Sequence, residues 1–442
     1  MASTRANHYG RGMPDSDGRI HVSHTDDGAR SRATVFFRLI LLIPHAVWLA
    51  LWGLGALLVL PVHWVGALIL GRPMEWAHGF YAAFVRYALH VYAYLYLAAD
   101  PYPTFFGEPG YVVEAEIPEA EPQRRWTIAL RLFLTIPPFL LAAALTSGIG
   151  AGYASTETET SASVNFGLAG ILAVLGWFAS LALARTPQGL RDTQVYCLGY
   201  GAQVYAYLFL LTERFPTSDP RAVALEPLPQ HPIRLPDADD DRQRDRLIVL
   251  FRILLVIPHF VWLAIWGIGA LIVVVFGWFA VLITTRLPEG WHRFLAGYLR
   301  YGTHVSSFLY VLGAPFPGFL GRAGTYPVDP EIAPPQPQSR WKTAFRGFLA
   351  IPAMLVSSAF SAVLFVAGAG AWWCALVTGR VPDGLHGLLG WAVRYQAQLC
   401  GYILLLTDHY PYTGPDGIGR PVPVEESWQP GPETPLPRPE AP

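Results

Sequence analysis

The residues of this 442-residue chain best equipped for chemistry are histidines set within apolar sequence. His45 and His259 occur in near-identical phrases, RLILLIPHAVWLALWGLGALLV from Arg38 and RILLVIPHFVWLAIWGIGALIV from Arg252. Each lies seven residues after its phrase arginine and directly after a proline, Pro44 or Pro258, which frees a backbone carbonyl one turn back. A second matched pair, His90 and His304, follows Arg86 and Arg300 by one helical turn, on the same face. His78 and His292 match as well. Ionisable groups in apolar runs are costly and mark candidate function. Imidazole changes charge near neutral pH, so His45, His90, His259 and His304 could line a polar pathway, moving protons or holding a small ligand.

The competing reading is a set of hydrogen bonds between helices. Two further versions of the phrase, RLFLTIPPFLL from Arg131 and RGFLAIPAMLV from Arg346, lack the histidine, and Gln203 and Gln398 replace His90 and His304. Glutamine bonds like histidine but cannot relay a proton, which favours the structural reading. The sequence has no carboxylate near these histidines and no HExxH or CxxC, so neither metal nor cofactor is expected. GxSxG, P-loop and strand-borne GxGxxG patterns are missing too, so no catalytic residue and no enzyme are expected. Cys197, Cys374 and Cys400 sit apart among apolar neighbours and read as small buried hydrophobes.

The elements that must position these residues form four repeats in two pairs. The phrase arginines are Arg38, Arg131, Arg252 and Arg346, and the closing arginines of the apolar runs are Arg72, Arg185, Arg286 and Arg380. A tryptophan precedes each closing arginine by eight residues: Trp64, Trp177, Trp278 and Trp372. These marks divide the chain into a tail (1–18), units A (19–107), B (108–217), A′ (218–319) and B′ (320–413), and a Pro-rich tail (414–442), with both tails expected to be disordered. One apolar run as a single helix would measure about 55 Å against a hydrocarbon core of about 30 Å. A hairpin is therefore expected, folding near Gly53/Gly55, Gly267/Gly269 and Ser357/Ser358. In unit B the fold is expected at the polar insertion carrying Glu157 and Glu159.

An aromatic third helix closes each unit. If it lies in the interface there are eight spans and all units are parallel; if it crosses there are about twelve, with B and B′ inverted. The eight arginines act as topology anchors and lipid-phosphate partners. The parallel arrangement puts them all on one face, as the positive-inside rule requires, and is the one expected. Short extended segments (GRIHVSH, GYVVEAEIP, HPIRLPD and TYPVDPEIAP) begin 20 or 21 residues before each phrase arginine, a constancy that favours strands over linker. DADDDRQRDR reads as a solvated charge run. The composition, 52% hydrophobic and 14% charged with net charge −1, suits a membrane protein and gives no field for nucleic acid. The first residues are polar, so no signal peptide is expected.

The ordered series of arginine before Ile-Pro-His, closing Gly-Arg-Pro, Tyr-Leu-Tyr and terminal Tyr-Pro resembles bacterial membrane proteins of domain-of-unknown-function family 4389. The likeness covers most of residues 19–413 and is weaker in B and B′, where Pro138 and Ala353 replace the histidine. It implies a membrane location and no established activity. The expectation is thus an all-α polytopic membrane protein of four hairpin-plus-interfacial-helix repeats with short strands. It would sit in the cytoplasmic (inner) membrane, multi-pass, with the N-terminus cytoplasmic. Its role would be a non-enzymatic scaffold or envelope component, working with the bilayer and with membrane-protein partners or a second copy of itself. The alternative is a transporter or channel for protons or a small solute. Facing of His45 and His259 across one cavity would favour it; separate packing would not.

Overall fold

A computed structural model describes residues 20–146, 167–220, 231–236 and 242–415. The tail 1–18, the tail 414–442 beyond residue 415, the insertion with Glu157 and Glu159, and much of the charge run lie outside the described residues. The fold is mostly helical. Unit A contains α1 (Arg32–Leu70) and α2 (Glu75–Leu95); unit B contains α3 (Arg125–Thr146), α4 (Leu168–Leu183) and α5 (Gln188–Leu208). Unit A′ contains α6 (Arg246–Thr284) and α7 (Glu289–Leu309), and unit B′ contains the short α8 (Arg340–Ala344), α9 (Arg346–Thr378) and α10 (Asp383–Ile403). Helices α1, α3, α6 and α9 are long and apolar enough to cross a membrane by length and composition.

In units A, A′ and B′ the expected hairpin within the apolar run does not form. Helix α1 continues through Pro44, Gly53, Gly55 and Pro61 for 39 residues, α6 for 39 and α9 for 33. The glycines are contact points rather than turns: a side chain at Gly53 or Gly55 would meet the Phe84 or Phe80 ring of α2. At Gly267 and Gly269 the neighbours are Tyr298 and Phe294 of α7. The chain reverses instead at the closing arginine, where Gly71 takes a left-handed φ of 71° that suits glycine. Helix α2 then returns antiparallel to α1, pairing Tyr94 with Arg38, Tyr87 with His45, Tyr81 with Ala56 and Met74 with Gly66. In unit B, α3 and α4 follow one another along α5. Arg131 meets Tyr207, Thr146 meets Gly201 and, further back, α4 brings Gly176 to Gln194.

Units A and B are joined head to tail by reciprocal bonds, so they run in opposite directions and the parallel arrangement is corrected. The Arg30 amide donates to Ala184 O, at the end of α4, while the Gln123 amide donates to Gly71 O, at the end of α1. Arg244 with Gly379 and Gln338 with Thr285 repeat this in A′ and B′. The four tryptophans do the same with their indole N–H: Trp64 to Ile128 O (2.9 Å) and Trp177 to Val35 O (3.0 Å). Trp278 to Thr343 O and Trp372 to Val249 O, both 2.8 Å, complete the set.

The molecule is layered. The apolar helices pack in a row, α1 beside α3/α4, these beside α9, and α9 beside α6. The returning helices form a second layer: α2 packs on α5, and α10 on α7. Tyr196 of α5 meets Trp391 of α10 edge to face at 5.1 Å, linking the halves. Strands form a third layer as two antiparallel pairs, not one sheet: β1 (His21–His24) with β2 (Val113–Glu116), and β3 (Ile233–Arg234) with β4 (Glu331–Ile332). All four lie in the extended segments expected from spacing.

Candidate functional site

Each phrase histidine is enclosed within its own unit. His45 is fully buried and shares a 2.8 Å hydrogen bond between Nδ1 and the Tyr87 hydroxyl; its ring stacks on Phe105 at 4.4 Å. His259 repeats this with Tyr301 at 2.6 Å and Phe319 at 4.5 Å. The phenylalanines arrive on the segment that folds back over the returning helix. That segment passes so close at Gly107 and Gly321, both at positive φ, that a side chain would strike the backbone of α2 or α7. His45 and His259 therefore do not share a cavity. The surface hollow lined by Gln243, Arg244, Asp245, Thr378, Gly379 and Arg380 contains none of the candidate histidines.

The second histidine pair has carboxylate partners, correcting the expectation that none was near. Glu114 on β2 accepts from Arg86 Nε at 2.7 Å and lies 3.5 Å from His90 Nε2. Asp329 contacts His304 Nε2 at 2.7 Å and Arg300 Nε at 3.2 Å. Backbone amides complete both cradles, Gly110 N on Glu114 and Gly324 N on Asp329. Tyr111 and Tyr326 lie against the imidazoles, with ring centres 4.6 and 4.9 Å away. Burial raises the pKa of both carboxyls, but the histidine contact, the amide and the arginine outweigh it and hold each below its ordinary value. A signal for them was present. Tyr111-Val-Val-Glu114 and Tyr326-Pro-Val-Asp329 place a carboxylate three residues after a tyrosine in the segment that directly follows each A unit.

The B units keep the positions and change the chemistry. Gln203 Oε1 accepts the Thr217 amide at 2.9 Å, and Gln398 Oε1 accepts the Tyr412 amide at 3.0 Å. Tyr395, the counterpart of Tyr301, donates to the carbonyl of Ala353, where A′ has its histidine. His78 and His292 are buried too, at the start of α2 and α7.

The phrase arginines are not available to lipid phosphates. Arg38, Arg131, Arg252 and Arg346 are at most 5% exposed, and each donates to the penultimate carbonyl of its returning helix: Tyr94, Tyr207, Phe308 or Tyr402. Each guanidinium also lies over the ring of that same residue, 4.0–4.7 Å from its centre. The reason is electrostatic: the last carbonyls of a helix lack intrahelical partners and carry partial negative charge. Arg38 adds an ion pair to Asp100 at 2.7 Å; Arg131 and Arg346 donate to Gln123 and Gln338. Those glutamines and their A-unit counterparts, Arg30 and Arg244, were not singled out by sequence; each also donates to a carbonyl just past the returning helix. The closing arginines Arg72, Arg185, Arg286 and Arg380 are exposed. Among the described residues, no three His, Cys, Asp or Glu side chains are grouped to hold a metal ion.

The family model described as Domain of unknown function (DUF4389) matches residues 32–107, 246–319 and 340–413, the helical parts of A, A′ and B′. No curated protein and no solved structure matches the chain.

Proposed function

The chain belongs to the DUF4389 family, and from that premise we propose that it is a non-enzymatic membrane protein, a scaffold or envelope component of the bacterial inner membrane. Its partners are the bilayer and other membrane proteins or a second copy. One observation carries this reading. Apolar side chains such as Leu58, Ile69, Ile253, Ile283 and Phe365 are more than 60% exposed along the long helices, while the polar groups of the four units turn inward onto one another. So much outward apolar surface demands lipid, and buried arginines bonded to the ends of the returning helices tie each unit into a rigid body. The transporter alternative finds no support in the histidines, because His45 and His259 are each enclosed by tyrosine and phenylalanine in a separate unit.

The test compares wild type with a four-glutamine variant, His45→Gln/His90→Gln/His259→Gln/His304→Gln. A scaffold gives no proton flux in dye-loaded proteoliposomes, and the variant restores the envelope defects of a deletion strain as wild type does. Wild-type flux that the variant abolishes would overturn the reading.

A further inference from the structure

We propose that the four long helices lie in the plane of the membrane, so that the protein is a slab sunk into one leaflet rather than a bundle crossing both. This rests on the membrane reading above and specifies how the lipid surface is met. The first argument is length. At 1.5 Å per residue, α1 and α6 measure about 58 Å and α9 about 50 Å, well beyond a hydrocarbon core of about 30 Å. A span would need a steep tilt, yet apolar residues stay exposed from Phe36 to Leu70 of α1, with no polar break at either end of a shorter stretch.

The second argument is the layering. Helix α9 is flanked on both sides by apolar helices and exposes one narrow stripe, which includes Phe348, Ile351, Leu355, Phe365, Trp373 and Val377. Its opposite face packs on α10. Returning helices such as α5 and α10 are buried between the apolar row and the strands. The outermost layer on that far side is irregular, charged backbone. Exposed Glu108, Glu116, Arg322 and Glu331 belong to segments that cross the returning helices at mid-length, where Glu114 meets Arg86 and Asp329 meets Arg300. In a spanning bundle this mid-length would sit at the bilayer centre, where lipid-facing loops and charges are not tolerated. In a slab it faces water.

The third argument is charge. Because A and B are inverted, exposed Arg32 and Arg185 lie at one end of the first pair of units, and exposed Arg72 and Arg125 at the other. A spanning arrangement would divide them between the two sides of the membrane, against the positive-inside rule. In the slab all four lie on the rim, level with the headgroup phosphates of a single leaflet. One helix layer is about 10 Å thick, the depth to which interfacial helices sink and less than half the hydrocarbon core.

The experiment is spin-label depth profiling of the full chain in vesicles of phosphatidylethanolamine and phosphatidylglycerol. Labels go on F348C, F365C and V377C, with Cys197, Cys374 and Cys400 replaced by alanine and helicity checked by circular dichroism. All three sites are outward-facing, so the labels should be accommodated. The slab gives the same depth at all three within about 5 Å, each more accessible to oxygen than to a soluble nickel chelate. A profile with Phe365 deepest and the ends shallower by about 15 Å overturns the slab and leaves the membrane reading intact. Nickel access at all three sites, with protein that does not float with vesicles, overturns both.

Discussion

In A′ the tyrosine of the returning helix reaches a histidine, Tyr301 to His259; in B′ the equivalent Tyr395 reaches the bare carbonyl of Ala353. One turn further along, His304 holds a carboxylate in A′, and Gln398 holds a backbone amide in B′. The frame around both is shared: the buried arginine under the helix end, the tryptophan bonded across to the paired unit, the left-handed turn at the closing arginine. The difference lies in where the histidines occur. They appear where an aromatic segment folds back across the unit, bringing Phe105 or Phe319 against one imidazole and Tyr111 or Tyr326 against the other. B′ keeps the same frame around Tyr395 and Gln398 without them.

Variants can break this comparison or sharpen it. The largest effect is expected for the shared frame. Arg131→Ala removes the guanidinium that the carbonyls of Tyr207 and Thr212 and the side chain of Gln123 share inside a fully buried site and should cost about 3–5 kcal/mol, seen as a lower denaturation midpoint in detergent. If the A-unit histidines were the frame instead, Arg131→Ala would be mild. Next comes His259→Ala, which empties space under Phe319 and orphans the Tyr301 hydroxyl, for about 2–3 kcal/mol. Ala353→Gly in B′ should cost clearly less, and equal losses would abolish the distinction.

A smaller effect separates the second histidine pair by its pH dependence. The lowered pKa values of Glu114 and Asp329 mean that their contribution is complete above the unfolded values of 4.5 and 3.8. It is lost as pH falls through the lower folded values. His90→Gln/His304→Gln, which installs the B-unit residue, should cost about 1–2 kcal/mol at neutral pH and flatten this acid limb. Acid titration of the melting temperature reads both. An unchanged limb would show that the arginines and amides alone hold the carboxyls. The smallest effect tests the pairing of units: Trp64→Phe and Trp177→Phe should each cost about 1 kcal/mol, and nearly equally, because each removes one half of a reciprocal contact.

The repeats, the paired tryptophans, the strand positions and the alternation of histidine with glutamine were all legible in the sequence, since each is a matter of spacing. What was not legible depends on which distant segment arrives. Gly53 and Gly55 look like a turn until Phe84 and Phe80 of α2 are seen packed against them. Glu114 follows His90 by 24 residues and reaches it only because the chain doubles back along α2. The phrase arginines read as lipid anchors because sequence alone does not reveal that the carbonyl end of a helix will stop beside them. The inversion of B relative to A has no local signature at all.

The tryptophan bonds also set an order of events during synthesis. Trp64 has emerged from the ribosome long before its acceptor Ile128, 64 residues later, and Trp177 must find Val35, 142 residues behind it. Unit A therefore waits unfinished until nearly all of B has been made, and A′ waits likewise on B′. The cooperative element of folding is the pair, closed by contacts of long sequence separation that are slow to form. A chain arrested after Leu95 would hold α1, α2 and the Arg38–Tyr94 bond between them, yet lack both tryptophan bonds that tie the pair together.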